Sequence, residues 1–258
     1  MAGKIKTDII QGEQQLKFNI GETTYITVDA AVWNIATPLN VQSTLTTTGS
    51  ATIGGNATIA GNLTVEGVTT TVNTSTLIVE DKNIELAATS SPTDSLADGA
   101  GLTIKGSSDK TLTWSNTTKC FTVNQGLDIE HVIETVTANS TAINANTTIN
   151  VLDGAVSFYT ANVAANWTLN VRGNSSTSLD SIMNNNDSIS IAYLATQLGA
   201  NTFYQSAMQI DGTSVTPRWQ GGSAPSAGNA ASIDLYSLTI IKTAANTYTV
   251  LGSQTQYA

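Results

Sequence analysis

The sequence contains little charge, one cysteine and one histidine. Charged residues make up 11% of its 258 positions, compared with roughly a quarter in an ordinary soluble domain. Cys120 has no partner within the chain, which excludes an intrachain disulfide, and we expect it to be buried as a small hydrophobe. His131 has no second histidine with which to complete a zinc motif, and we expect it on a strand whose Val132 and Val136 face inward. The sequence therefore predicts no metal site and no cofactor.

Long apolar runs and clusters of basic residues are also missing. No stretch approaches the ~18 consecutive apolar residues of a transmembrane helix, and the first residues lack the apolar run of a signal peptide. The 10 Lys and Arg residues are scattered through a chain of net charge −9, whereas nucleic-acid binding needs clustered cations. We therefore expect synthesis in a cytoplasm, no membrane insertion and no nucleic-acid partner.

The sequence motifs of common enzymes are absent as well. There is no nucleophile elbow, phosphate-binding loop or dinucleotide fingerprint. A glycosidase pair of carboxylates stays open, because a sequence does not show spacing across a fold. We predict no catalytic residues.

A six-residue repeat is present between residues 39 and 79. Gly49, Gly55, Gly61 and Gly67 occupy the same position of four successive hexads, and a regularly spaced glycine is typical of a turn after each short strand. Apolar–polar–apolar triplets lie between the glycines, so the outer residues of each triplet share one face. The residues predicted to form a common apolar row are Ile53, Ile59, Leu63 and Val65.

Two architectures fit this repeat. A β-helix within one chain needs about three hexads per coil, so the stretch would make only about two coils, fewer than the three repeats usually needed for stability. The alternative is a shaft in which three identical chains each supply one face of a shared core. We favour the homotrimer, with the predicted apolar row on its axis.

The patterning predicts an all-β chain of four segments. Residues 1–37 form an N-terminal attachment hairpin, which would pack on its symmetry mates, dock on a larger assembly or simply cap the shaft, and residues 38–80 form the trimeric β shaft. Residues 81–126 contain alternating apolar pairs separated by polar turns, which is typical of a small β-meander. Residues 127–258 contain about seven short alternating strands and most of the aromatic residues, which favours a β-sandwich-like domain.

Aromatic residues in the last segment are the candidates for ligand binding. Trp219 precedes a glycine-rich loop that contains Pro225, and an exposed tryptophan can stack on a sugar. The competing interpretation is burial, because aromatic residues supply most of the core in such domains. We take Trp219 and Pro225 as the candidate receptor-binding residues, and expect most other aromatic residues to be core.

Several stretches resemble known virion proteins. The segments Gly61–Gly67, Leu77–Leu86 and Asp98–Gly106 resemble tail fibres and fibre-like virion proteins of tailed bacteriophages. The segments Trp219–Pro225 and Asp234–Thr243 resemble a terminal domain of such proteins in phages of marine cyanobacteria. Together the similar regions cover roughly residues 50–110 and 150–251.

This resemblance implies a homotrimeric appendage attached to other virion proteins by its N-terminal end, with the C-terminal domain displayed outward. The favoured function is a structural and adhesive tail fibre that contacts a host surface glycan. The second is a structural decoration or fibre mounted on the capsid. The third, from a different class, is an enzyme that degrades surface polysaccharide. In the first two cases the protein is located on the exterior of the virion.

Overall fold

The computed structural model of the protein describes residues 38–67, 70–200 and 202–258. The predicted hairpin of residues 1–37 lies outside the described residues. The chain divides into two units, of which the first ends at Leu77 and the second begins at Ile78. Regular structure is almost entirely β and forms three sheets, which confirms the all-β prediction.

The hexad segment has no helix or strand in residues 38–67 and 70–80. Its glycines 49, 55 and 61 lie in open surroundings, with no atom within 4 Å of the position of a Cβ. A three-residue apolar triplet has no neighbouring strand here with which to exchange hydrogen bonds, and a strand is stable only when it is paired. The trimeric shaft stays a prediction.

A small antiparallel sheet follows, in the order β1 (Gly101–Ile104), β2 (Lys110–Ser115) and β3 (Cys120–Val123). The alternating pair Ile84 and Leu86, in the segment predicted as a meander, suggests a further strand before β1, but both residues lie outside the strands of the described residues and are exposed. The prediction that Cys120 is buried is also wrong, since its side chain is exposed. Cys120 begins β3, and the alternation of the strand places it on the face opposite to that of Phe121.

The rest of the described chain forms ten strands, one helix and two 3₁₀ turns. The strands are β4 (Val136–Asn139), β5 (Ala145–Asn150), β6 (Val156–Tyr159), β7 (Trp167–Arg172), β8 (Ser188–Gln197), β9 (Gln205–Ile210), β10 (Thr213–Val215), β11 (Arg218–Trp219), β12 (Ser232–Ala244) and β13 (Thr247–Tyr257). The helix α1 covers Leu179–Ile182, and the 3₁₀ turns cover Val151–Asp153 and Gln220–Gly222.

The chain alternates between two sheets. Strands β4, β6 and β8 lie parallel in a six-stranded sheet, and strands β5, β7 and β9 lie parallel in a four-stranded sheet. Because each strand from β4 to β8 is followed by a strand of the other sheet, this part of the backbone winds as a flattened coil. The last two long strands end this pattern, since β12 pairs antiparallel with β8 and with β13.

One hydrophobic core fills the space between these two sheets. Alternate residues of β7, Trp167, Leu169 and Val171, are all fully buried and face β8 and β12 of the other sheet. The rings of Tyr193 and Tyr236 stack with centroids 4.8 Å apart, and Trp167 packs edge-on against both. Each buried aromatic side chain contributes on the order of 2 kcal/mol or more.

The prediction around His131 is wrong. Residues 131–135 form no strand, and Val132 is 66% exposed. Strand β4 begins only at Val136, which pairs with Val156 on the outer face of the six-stranded sheet and is 47% exposed. Val132 and Val136, which alternation predicts to face inward, are therefore exposed.

Candidate functional site

Trp219 lies at the edge of the six-stranded sheet. Strand β11 pairs in parallel with β13, which places Trp219 opposite Gly252. A Cβ at position 252 would lie 3.0 Å from Cζ3 of Trp219, so the indole packs directly on the glycine backbone. The other side of the indole makes an edge-to-face contact with Tyr236, with ring centroids 6.4 Å apart. Trp219 is thus half-buried against the core.

Three surface clefts share Trp219 as a wall. The largest, of about 600 Å³, lies on the face of the six-stranded sheet that points away from the core. A second, of about 290 Å³, lies beside β9 and β10. The third, of about 280 Å³, brings together Trp219 and Pro225, the two residues singled out in the sequence. The fold therefore places both candidate residues at one surface.

Small hydroxyl side chains line the bottom of the largest cleft and form what we call its hydroxyl floor. Strand pairing aligns Ser190 of β8 with Thr239 of β12, whose hydroxyl oxygens are 3.5 Å apart. The next row aligns Ser237 with Ser253 of β13. Sequence reasoning missed this floor, because a Ser or Thr on the outer face of a strand looks the same as any solvated position.

Opposite charges lie in the same cleft. Arg218 extends the row of Thr239 through its pairing with Leu251, and Glu134 lies among the lining residues. Arg218 is exposed. The cleft therefore offers hydroxyl, guanidinium and carboxylate groups on the outer face of the sheet, whereas the indole of Trp219, in the row of the buried Leu238, projects to the core face at the same edge.

A buried amide borders the second cleft. Gln205 is 2% exposed, and its Oε1 accepts a hydrogen bond from the hydroxyl of Tyr193. Its Nε2 has no hydrogen-bond partner among the described residues. A buried donor without a partner costs free energy. A ligand or a water that accepted a hydrogen bond from Nε2 would therefore be favoured there.

A buried carboxylate fixes the loop between Pro225 and β12. Asp234 is fully buried and accepts bonds from the backbone N–H of Asn229 at 3.0 Å, the side-chain amide of Asn229 at 2.6 Å and Nε2 of Gln197 at 2.9 Å. Gln254, which lines the cleft with Pro225, donates to the same carboxylate at 3.1 Å. This network holds one wall of the third cleft to the core, and it was not foreseen from the sequence.

Burial controls the titration of the core tyrosines. Loss of hydration raises the pKa of Tyr193 well above its ordinary value, and the nearby Tyr236 raises it further. Loss of hydration likewise raises the pKa of Tyr236. Both phenols therefore stay protonated at neutral pH, where they act as hydrogen-bonding groups.

The part of the chain that the structure describes holds neither a cluster of metal-ligating side chains nor a membrane-spanning helix. No group of three or more His, Cys, Asp or Glu residues there could hold a metal ion. None of the helices in the same residues has the length and apolarity needed to cross a bilayer.

The predicted axis residues are exposed in the single chain. The exposed fractions are 64% for Ile53, 54% for Ile59, 69% for Leu63 and 56% for Val65. Isolated exposed apolar residues are normal on a protein surface, but a repeating row of them marks an interaction site.

These features define an all-β protein with a coiled two-sheet unit, clefts around Trp219 and an unburied apolar repeat. No protein-family model, curated protein or solved structure matches the chain. Its function therefore has to be argued from the residues and their geometry.

Proposed function

We propose that the protein is a bacteriophage virion structural protein, a short homotrimeric fibre of the tail that takes part in attachment to the host surface. The observation that carries this proposal is the apolar hexad row, whose members are 54–69% exposed in the single chain. Their exposure costs free energy in water, at about 25 cal/mol per Å² of apolar surface. Two identical neighbours would remove that cost at every hexad, because an identical chain carries the same repeat.

The position of the packed unit in the last half of the chain supports an assignment of which end contacts the virion and which contacts the host. The hexad segment contains no secondary structure of its own, whereas the last half of the chain forms a packed unit with clefts. We assign the contact with other virion proteins to the N-terminal segment and the contact with the host to the C-terminal unit. The resemblance of residues 61–106 and 219–243 to phage fibre proteins supports this assignment.

The clefts around Trp219 suit a neutral or weakly charged glycan. A sugar offers an apolar ring face for the indole and many hydroxyl groups for hydrogen bonding. The chain has a net charge of −9, so an acidic polysaccharide would be repelled over most of the surface. We assign Trp219 and Pro225 to the receptor contact, together with the hydroxyl floor of the largest cleft, which lies on the outer face at the same edge of the sheet.

Attachment can be tested by measuring how well the purified protein competes with phage particles for adsorption to host cells. Ser237→Arg places a large side chain in the middle of the hydroxyl floor, where Ser237 is exposed. Asn146→Arg, an equally exposed change on β5 of the other sheet, is the matched control. We expect Ser237→Arg to lose at least tenfold in competition and Asn146→Arg to compete as the unaltered protein does. Equal competition by both variants would remove the receptor contact from this cleft.

The second candidate function is a capsid-mounted fibre or decoration with a structural role only. It uses the same apolar row and makes no use of the clefts. Gold-labelled antibody on intact particles separates the two: a tail fibre gives a few labels at the tail, and a decoration gives many on the head.

A polysaccharide-degrading enzyme is the least favoured function. Release of new reducing ends from host polysaccharide by the purified protein would support it.

A further inference from the structure

One face of the three-stranded sheet carries six apolar residues and a single charged one, Lys110, which pairs with Ile104 at the end of β1. Residues directly opposite each other in a sheet project to the same side, and Leu102, Leu112 and Val123 are paired in one row. Alternation adds Ile104, Trp114 and Phe121 to this side. We call these six residues, Leu102, Ile104, Leu112, Trp114, Phe121 and Val123, the apolar face.

This face is open to solvent in the single chain. Leu102 is 60% exposed, Ile104 69% and Phe121 71%. Trp114 and Phe121 form an edge-to-face pair with centroids 5.6 Å apart, so the aromatic rings at one end are already ordered against each other. A three-stranded sheet needs a covered apolar face to be stable in water.

The opposite face of the sheet is polar and is turned toward the chain's own coiled unit. It carries Thr113 and Thr122, whose hydroxyl oxygens are 3.2 Å apart. A cleft of about 400 Å³ has Cys120 and Thr122 on one side and Val151 and Ile182 on the other. The unit that this chain itself supplies thus lies on the polar side, and the apolar face is left for another molecule.

We infer that the apolar face is covered by the apolar faces of two further copies of this chain, forming a second trimer interface besides the hexad row. This inference rests on the proposed function, which supplies the three-chain assembly. The face carries no carboxylate, although the chain has a net charge of −9, so copies can meet there without repulsion between acids. Its one cation, Lys110, lies at the end of the face, where Nζ donates to the backbone carbonyl of Ser108 in the adjoining turn at 2.6 Å.

The distribution of exposed apolar residues favours a copy over an unrelated protein. Exposed large apolar side chains recur from Leu39 to Val136, whereas the first buried one in the described residues is Ile143. An unrelated partner would have to match apolar groups along this whole length. A second copy matches all of them at once, because the same segments recur in the same order.

The test measures the reactivity of single cysteines in a Cys120→Ser background of the full chain. Leu102→Cys places a thiol on the apolar face, and Thr103→Cys, one residue further along β1, places it on the polar face; both positions are exposed in the single chain. We expect the Leu102→Cys thiol to react with Ellman's reagent at least tenfold more slowly than the Thr103→Cys thiol. Equal rates would overturn the inference.

A second pair of variants guards against local misfolding of the cysteine variants. Leu102→Asp is expected to lower the urea concentration at which the trimer dissociates, and Thr103→Asp to leave it unchanged. A trimeric protein with equal reactivities and equal dissociation would reject the apolar face and retain the hexad shaft. A protein that sediments as a single folded chain would reject both proposals.

Discussion

At the residue scale, one buried lysine holds the short helix to the sheet. Lys242 is 6% exposed, and its Nζ donates to the backbone carbonyls of Asp180 at 2.6 Å and Met183 at 3.0 Å. Its Nζ also lies 2.8 Å from Oδ1 of Asp180. The hydrogen bond from Lys242 holds the pKa of Asp180 below its ordinary value, and the backbone N–H of Asn246 lowers it further.

This pair predicts a pH-dependent contribution to stability. A carboxyl whose pKa is lower in the folded state contributes fully above its ordinary pKa, and the contribution is lost as the pH falls through the folded value. Asp180→Asn should therefore lower the free energy of unfolding at pH 7 by about 1 kcal/mol, and the difference from the unaltered protein should shrink as the pH falls below the ordinary pKa of an aspartic acid. Urea unfolding followed by tryptophan fluorescence measures both values. Asp128→Asn, at an exposed position, is the control and should change neither.

The stacked tyrosines predict the opposite dependence. Burial raises the pKa of Tyr193 and Tyr236, so the unfolded chain releases these protons first and stability should fall as the pH rises above about 10. Absorbance at 295 nm should show a group of tyrosines that ionises only when the circular dichroism of the sheets is lost. Ionisation of every tyrosine in a protein that is still folded would contradict the burial of this pair.

Single residues were predicted well where the alternation of a strand determines burial. Trp167 and Tyr193 lie in runs of alternating apolar residues, and both are buried. Cys120 and Val132 were predicted wrongly because alternation shows which residues share a face, but it does not show whether this chain covers that face. The carboxylate of Asp234 could not be predicted, since its donors come from positions 197, 229 and 254 of the sequence.

At the element scale, most strands of the last half could be predicted and their arrangement could not. Seven alternating apolar runs predict strands there. Those at 156–158, 167–171, 189–193, 208–210, 235–241 and 248–251 fall inside strands, whereas the run at 149–151 extends past β5, which ends at Asn150. The parallel pairing of β5, β7 and β9 depends on loops that return the chain to the start of the same sheet. A strand carries the same alternation whether its neighbour is parallel or antiparallel, so the coil leaves no signal in the pattern.

The hexad triplets give a prediction about facing. Val65→Asp would bring three carboxylates together on the proposed axis, and burying unpaired like charges costs several kcal/mol. Thr64→Asp, one residue earlier, would place the charge in water. We expect the first variant to lose assembly in light scattering and the second to assemble normally. Assembly of both would show that Val65 does not face the axis.

At the scale of the whole molecule, the chain combines two ways of burying apolar surface. Most large apolar side chains from Ile143 onward are buried between two sheets, with Leu198, Leu251 and Tyr257 as exposed exceptions. Exposed apolar residues between Leu39 and Val136 have no cover in the single chain. Contacts within such a chain bury only part of its apolar surface. We attribute the burial of the remaining apolar surface to two identical partner chains.

The central claim is that three copies share the apolar surface between Leu39 and Val136. Sedimentation equilibrium of the purified full chain, over a tenfold range of concentration, tests it most directly. We predict that the measured mass is that of three chains of 26.8 kDa each, and that no smaller folded species is present. A single species of 26.8 kDa with the circular dichroism of a folded β protein would contradict it.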